Sequence, residues 1–240
     1  MRGLSGLRVL VTGAGGGIGG AVVQRLLKER AAVAATDLAP PSLGSDVFAA
    51  AADVTDERSV RALVDSVRGE LGGVDAVVAA AGIHVWSPTH ELEVAAFRKV
   101  LEVNVIGTFL VAKAVLPLML EQRSGRLVTF GSTAAVCAAP ELAAYAAAKG
   151  GVLQLTRAIA VEYASRGIRA NCVCPGGTMT PMLRAIDEAR TGRDHFKEAH
   201  PIGRYAEPDE IASVVAFLLS DDASFVLGAA VMADGGYSSA

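Results

Sequence analysis

Cysteine, aromatic residues and charge are all scarce in this chain. Its 240 residues include 3 Cys and 1 Trp, with 5% aromatic and 20% charged residues. Three cysteines cannot build a disulfide framework. Cys172 and Cys174 alternate along an apolar run, so both point to one face of a strand and read as small buried thiols. No His or Cys pair lies near them at ligand spacing, so no metal is expected. Little charge combined with 52% hydrophobic residues excludes intrinsic disorder. A net charge of −3 and a pI near 5.8 offer nothing to DNA, RNA or an anionic membrane, so no nucleic-acid or membrane partner is expected. Mean hydropathy is +0.41. Yet runs free of Asp, Glu, Lys and Arg, such as Leu127 to Pro140, fall short of the roughly 20 residues of a spanning helix. Met1 to Val11 show no basic start, apolar segment and small-residue cleavage site in series, so no signal peptide is expected. The expectation is a soluble, cytoplasmic, single-domain protein.

Strands and helices alternate along the chain. Apolar runs predict strands at Leu7 to Thr12, Ala31 to Thr36, Val47 to Ala52, Val74 to Ala81, Arg126 to Phe130, Ile168 to Cys174 and Ala229 to Met232. Helical spacing predicts helices at Gly17 to Arg30, Asp56 to Leu71, Val94 to Glu121, Leu142 to Ser165 and Pro208 to Leu219. The strands are nearly continuous apolar runs, as expected when helices cover both faces of a parallel sheet. The fold class predicted is α/β: one Rossmann-type, doubly wound parallel sheet of about seven strands spanning residues 1–240. The stretch from Pro175 to Pro208 breaks the rhythm, and residues 178–207 are read as a lid over the substrate.

Thr12-Gly13-Ala14-Gly15-Gly16-Gly17-Ile18-Gly19 joins the first strand to the first helix. Small residues there let the backbone approach a pyrophosphate, and the helix start supplies free N–H groups and partial positive charge. Asp37 follows Gly17 by 20 residues, at the end of the second strand, where a carboxylate can bind both adenosine ribose hydroxyls. A 2′-phosphate would meet that charge, and neither positions 14 to 16 nor Leu38, Ala39, Pro40 and Pro41 supply a basic side chain. The cofactor expected is therefore NAD rather than NADP.

Tyr145 and Lys149 stand four residues apart on one helical face. A free tyrosine titrates near pH 10, and a neighbouring ammonium is expected to lower that value. Such a tyrosine can take a proton from an alcohol or return one to a ketone. Ser132 lies 13 residues upstream, just past a strand. With the glycine turn and Asp53, it lies at the carboxyl ends of strands, where open sheets bind ligands.

Together with Asp53-Val54, Asn104 in Val103-Asn104-Val105, Pro175-Gly176, Thr178, Thr180 and Asp234-Gly235-Gly236, these residues make the chain resemble a short-chain dehydrogenase/reductase over essentially its whole length. The resemblance implies that Tyr145 is the acid/base and that Lys149 tunes it and holds the nicotinamide ribose. It further implies that Ser132 orients the carbonyl or alcohol, and that Asn104 positions a water in a proton relay. Implied cofactor contacts are Gly13, Gly17, Ile18, Gly19, Asp37, Leu38, Asp53, Val54, Ala80, Gly82, Tyr145, Lys149, Pro175, Gly176, Thr178 and Thr180. The family often carries two asparagines before the Ala-Gly that follows the fourth strand. Here Ala79-Ala80-Ala81-Gly82 replaces them, which removes side chains that would brace the loop.

The implied reaction is NAD-linked interconversion of a secondary alcohol and a ketone. Cyclic diols or dihydrodiols suit it, because NAD-linked members usually run toward oxidation. The short connection from Asp37 to Asp53 resembles dihydroxybenzoate-type enzymes, although no Arg lies between Ser132 and Tyr145 to hold a carboxylate. A 3-oxoacyl or simple keto reductase is the second possibility, and a non-catalytic NAD-sensing protein the third. By the same resemblance, the helices at Val94 to Glu121 and Leu142 to Ser165 pair across a two-fold axis and the C-terminal strand builds a second interface, which implies a homotetramer. His84, Trp86, Cys137 and Glu141 are candidates to line the substrate pocket. Met179, Met182, Leu183 and Phe196 are expected on the inner face of the lid, and Arg184, Arg190, Arg193 and Lys197 on its outer face. His195 and His200 are read as surface or packing residues.

Overall fold

A computed structural model describes residues 1–184 and 195–239. Its sheet comprises β1 (Arg8–Thr12), β2 (Ala32–Asp37), β3 (Val47–Ala51), β4 (Ala76–Ala79), β5 (Gly125–Phe130), β6 (Ile168–Pro175) and β7 (Ala230–Ala233). The strands run parallel in the order β3-β2-β1-β4-β5-β6-β7. The long helices are α1 (Gly17–Lys28), α2 (Glu57–Leu71), α3 (Val94–Leu101), α4 (Gly107–Gln122), α5 (Ala143–Tyr163) and α6 (Pro208–Leu219), with a further single turn at His195–Glu198.

Alternation along each strand sorts the core into two layers. Val9 and Val11 of β1, with Val33, Val78 and Val173, face Val22 and Leu26 of α1 and Ile211 and Val215 of α6. Leu10, Ala34, Val77 and Leu127 face the opposite way, onto α2, α4 and α5 through Val60, Val64, Val115, Met119 and Ile159. Cys172 and Cys174 pack under Val152 and Leu153 of α5, as the alternation predicts. Burying each such Val or Leu contributes about 1.5–3 kcal/mol, so the two layers hold the sheet firmly.

The register matters for the site. Thr12 pairs with Thr36 and with Ala79, so β1, β2 and β4 end nearly level. Strand order reverses between β1 and β4, and the crevice there opens at the carboxyl ends of the strands.

The long helix predicted from Val94 is not uniform. Between α3 and α4, Glu102–Ile106 forms a π-helical turn. The Thr108 hydroxyl donates to the Asn104 carbonyl at 2.7 Å, supplying one partner where the main-chain ladder is displaced. Val94–Gln122 is long and apolar enough to cross a membrane by length and composition. Here it is a core element, with Val100, Asn104, Val111, Val115 and Met119 buried in the domain.

Candidate active site

At the adenosine end, the glycine turn passes directly from β1 into α1. Gly13 has φ +68, and a side chain there would begin 2.5 Å from the Ala81 nitrogen. Glycine thus answers both the left-handed backbone and the close approach of the loop after β4. Gly16 caps α1 without a side-chain hydrogen bond, so the cap itself supplies no acceptor to the N–H groups of the first turn. The Asp37 carboxylate accepts from the N–H groups of Gly15 at 2.9 Å and Leu38 at 2.8 Å. An open hollow of about 540 Å³ lies here, lined by Gly15, Gly16, Asp37, Leu38, Ala39, Pro40 and Pro41, with no basic side chain among them. A backbone-lined hollow beside an uncapped helix start and a single carboxylate fits the adenosine ribose and pyrophosphate of a dinucleotide. The Asp53 carboxylate, by contrast, is taken up by the N–H and hydroxyl of Thr55, at 2.8 and 2.7 Å. Those bonds hold it below the usual carboxylate range. Val54 is buried against Gly107 at the start of α4.

At the other end, β5 delivers Ser132, and the first turn of α5 carries Tyr145. The Ser132 hydroxyl lies beside the Tyr145 phenol and pulls its pKa down. It also accepts from the Ala134 N–H at 3.1 Å, which fixes its rotamer. One turn along α5, buried Lys149 donates to the Phe130 carbonyl at 2.9 Å and lies 5.5 Å from the centre of the Tyr145 ring. The structure thus brings Ser132, Tyr145 and Lys149 together.

The expected lowering of the tyrosine is not found. Burial pushes the Tyr145 phenol up to about 12, outweighing the opposite pull of the neighbouring Ser132 hydroxyl. The same burial brings Lys149 down to about 8. Withdrawal from water disfavours phenolate and ammonium alike, and each tracks its own desolvation more than its partner.

Asn104 sits in the π turn, 1% exposed. Its amide donates to Ile83 O at 2.8 Å and Val100 O at 2.9 Å. The loop after β4, which lacks the usual asparagines, is therefore braced from the helix behind it. The Asn104 Oδ1 is buried without a hydrogen-bond partner among the described residues. A side chain at Gly82 would begin 2.6 Å from that oxygen and 3.3 Å from Lys149 Nζ, so both polar groups border the same spot.

His84 meets the Tyr145 ring edge-on at 6.2 Å, and Trp86 follows at 6.5 Å from His84. Burial lowers the His84 pKa. Ser87 N–H donates to the Glu141 carbonyl at 3.0 Å, tying this loop to the one that carries Cys137. Glu141 itself has a left-handed backbone, φ 66. Gly17 approaches Thr180, whose methyl would lie 2.8 Å from an added side chain, so the start of the 178–207 segment leans over the glycine turn. Leu183 is 6% exposed, as an inner-face residue should be, but Met182 is 42% exposed and does not line the inside. Arg184 and Lys197 are exposed. Arg190 and Arg193 lie outside the described residues, as do the side chains of His195 and Phe196. His200 is 2% exposed, so it belongs to the interior and not to the surface.

Residues 13–238 match the family model described as enoyl-(acyl carrier protein) reductase. The chain is 40% identical over 242 residues to 2-(S)-hydroxypropyl-CoM dehydrogenase 3 of Xanthobacter autotrophicus, covering 95% of each. It is 42% identical over 241 residues to cis-4-hydroxycyclohexanecarboxylate dehydrogenase of Sinomonas cyclohexanicum, again covering 95% of each. The crystal structure of a 3-ketoacyl-(acyl-carrier-protein) reductase from Brucella melitensis, complexed with NADH, matches with a TM-score of 0.91 at 33% identity, over 98% of this chain and 99% of that one. Fold, cleft and likeness together define an oxidoreductase that uses a nicotinamide cofactor. The chain belongs to the short-chain dehydrogenase/reductase family.

Proposed function

We propose that this protein is an NAD-dependent dehydrogenase/reductase that interconverts a secondary alcohol and a ketone, with Tyr145 as the acid/base. The observation that carries this is the convergence of Tyr145, Ser132 and Lys149 at the end of β5, in the same crevice as the glycine turn. When bound, the nicotinamide supplies or takes up the hydride. The N–H groups at the start of α1 would hold the pyrophosphate, Asp37 the adenosine ribose, and Lys149 the nicotinamide ribose. Ser132 donates to the reacting oxygen and orients it. In reduction, Tyr145 gives its phenolic proton to that oxygen, and a phenol held near 12 is ready to do so. In oxidation the phenolate takes the proton, and the ammonium of Lys149 supports its charge. Asn104, whose Oδ1 faces the spot beside Lys149, would hold a water that passes the proton onward.

Asp37 and the absence of a basic neighbour support NAD over NADP. The names of the two curated relatives, one acting on a hydroxypropyl group and one on a hydroxylated ring, support a secondary alcohol that includes cyclic alcohols or diols. Reduction of a 3-oxoacyl group is the second possibility within the same chemistry, in line with the name of the NADH-bound neighbour. We take residues 1–240 as one cofactor-binding domain with a cover segment at about 178–207, acting in the cytoplasm. Secondary alcohols and cyclic diols assayed with NAD at the NADH absorbance should reveal turnover. A protein that binds NADH yet turns over no alcohol or ketone would instead be a non-catalytic NAD sensor.

Exposed Ile106, Phe109 and Val161 on and beside α4 and α5, and Phe225 and Leu227 before β7, support a homotetramer built through those two surfaces. Light scattering at micromolar concentration should give four times the chain mass of 24.6 kDa, and a monomer would refute the assembly.

A further inference from the structure

His200 and the Asp234-Gly235-Gly236 turn have no part in the chemistry above, yet they are packed as tightly as anything in the site. The Gly177 N–H donates to His200 Nε2 at 3.0 Å. Because a backbone N–H can only donate, that imidazole nitrogen carries no proton. The ring is held between two aromatics, Tyr205 edge-on at 5.8 Å and Tyr237 tilted at 5.1 Å. Beneath it, a side chain at Gly176 would begin 2.8 Å from both His200 Nε2 and the Asp234 Cα.

The glycines of the C-terminal turn face the same stem. Gly235 has φ +60, and a side chain there would begin 2.5 Å from Ile202 Cγ2. Gly236 has φ +89 and would meet the Pro201 ring at 3.1 Å. The turn is closed by the Asp234 carboxylate, which accepts from Gly236 N–H at 3.1 Å and from Ser238 N–H and hydroxyl at 2.9 and 2.6 Å. Ile202 N–H donates to the Gly235 carbonyl at 3.1 Å, locking stem to turn. On the far side, Ala206 N–H donates to the Gly177 carbonyl at 2.8 Å, and Met179 N–H to the Ala206 carbonyl at 2.9 Å. Gly177 is thus clamped at both its N–H and its C=O by the stem of residues 200–206. The next residue is Thr178, 5% exposed, which the family resemblance places beside the nicotinamide carboxamide.

We infer that His200 is a positioning residue for cofactor binding: seated on the Asp234-Gly235-Gly236 turn, its Nε2 fixes the Gly177-Thr178 backbone against the nicotinamide end of the cleft. This rests on the proposal that the cleft binds a nicotinamide dinucleotide. Gln in place of His can return an acceptor to the Nε2 position. Phe fills the aromatic box without one, and Asn offers an acceptor one bond too short. Losing the acceptor leaves a buried N–H unpaired beside the site and frees the segment that meets the cofactor.

The test is NADH titration by fluorescence on wild type, His200→Gln, His200→Phe and His200→Asn, with a melting curve for each ligand-free protein. His200→Phe should weaken NADH about tenfold, equivalent to about 1.4 kcal/mol, while His200→Gln stays within about threefold of wild type. In turnover, the KM for the cofactor should rise in His200→Phe with kcat little changed, since Tyr145 and Ser132 are untouched. If His200→Phe fails to fold, His200→Asn takes its place with the same expected weakening. Binding by a folded Phe or Asn variant as tight as wild type overturns the inference, as does a Gln variant as weak as Phe. Wild-type protein that binds no NADH would instead refute the cofactor proposal itself.

Discussion

At its adenosine end the cleft is made of backbone. A glycine turn, an uncapped helix start and one half-exposed carboxylate line an open hollow. At its catalytic end it is made of side chains that the fold withdraws from water, with Lys149 5% exposed and Asn104 1% exposed. The first end recognises a ligand through dipoles and close approach, and tolerates solvent because nothing there changes charge. The second must move a proton, and burial sets the values at which its groups give one up. Recognition can therefore be redirected by substitutions at the rim of the hollow, whereas the values at which the buried groups give up a proton depend on everything packed around them.

The largest expected effect tests the buried end. Tyr145→Phe removes one oxygen, should keep the fold and NADH binding, and should lower kcat by at least about a hundredfold, within the range of general acid–base catalysis. Retention of more than about a tenth of wild-type kcat would show that another group moves the proton.

The open end comes next. Asp37 should favour NAD over NADP by about a hundredfold in kcat/KM, the equivalent of about 2.7 kcal/mol. Asp37→Ala should narrow the gap mainly by weakening NAD, since removing a repulsion does not create a phosphate site. Adding Leu38→Arg should turn the preference toward NADP, because Leu38 is exposed on the rim of the hollow. Steady-state kinetics with both cofactors decides this, and equal efficiency in the wild type would mean that Asp37 does not face the ribose.

The effect smallest per step is graded. With Tyr145 held near 12, the phenolate fraction grows as pH rises, so oxidation should accelerate by about tenfold per pH unit between pH 6 and 8. Reduction needs the protonated phenol and should stay flat over the same range. Above about 8, Lys149 loses its proton and with it the charge that supports the phenolate, so the oxidation slope should slacken. Rates measured in both directions at saturating substrate check the signs. An oxidation rate indifferent to pH would detach the phenol from the rate-limiting proton transfer.

These contrasts also explain what could be read from the chain. The strands were legible because burial on both faces leaves continuous apolar runs, and the buried Val60, Leu63, Val64 and Val67 of α2 were legible by helical spacing. The glycine turn, Asp37, Tyr145 and Lys149 declare themselves through residue type and interval. The raised value of Tyr145 did not, because desolvation sums contributions from elements far apart in sequence. The π turn stayed hidden because a Thr hydroxyl competing for the Asn104 carbonyl leaves no mark in hydrophobic periodicity. His200 stayed hidden because an irregular stem has no period at all, and its partners Gly177 and Asp234 lie 23 and 34 positions away.

The turn at Glu102–Ile106 has a consequence for heredity and for design. A π turn takes up one residue more than an α turn over the same rise, so it behaves as an insertion already absorbed into the helix. Deleting one residue there would restore a regular α ladder and leave the stripes of α3 and α4 facing as they do now. What the deletion would remove is the local widening that carries the Asn104 amide to Ile83 and Val100. Chains descended from this one can therefore lose a codon in this turn and keep both ends of the helix packed, but not the Asn104 brace. Anyone grafting a new pocket onto this scaffold should keep the surplus residue as part of the frame.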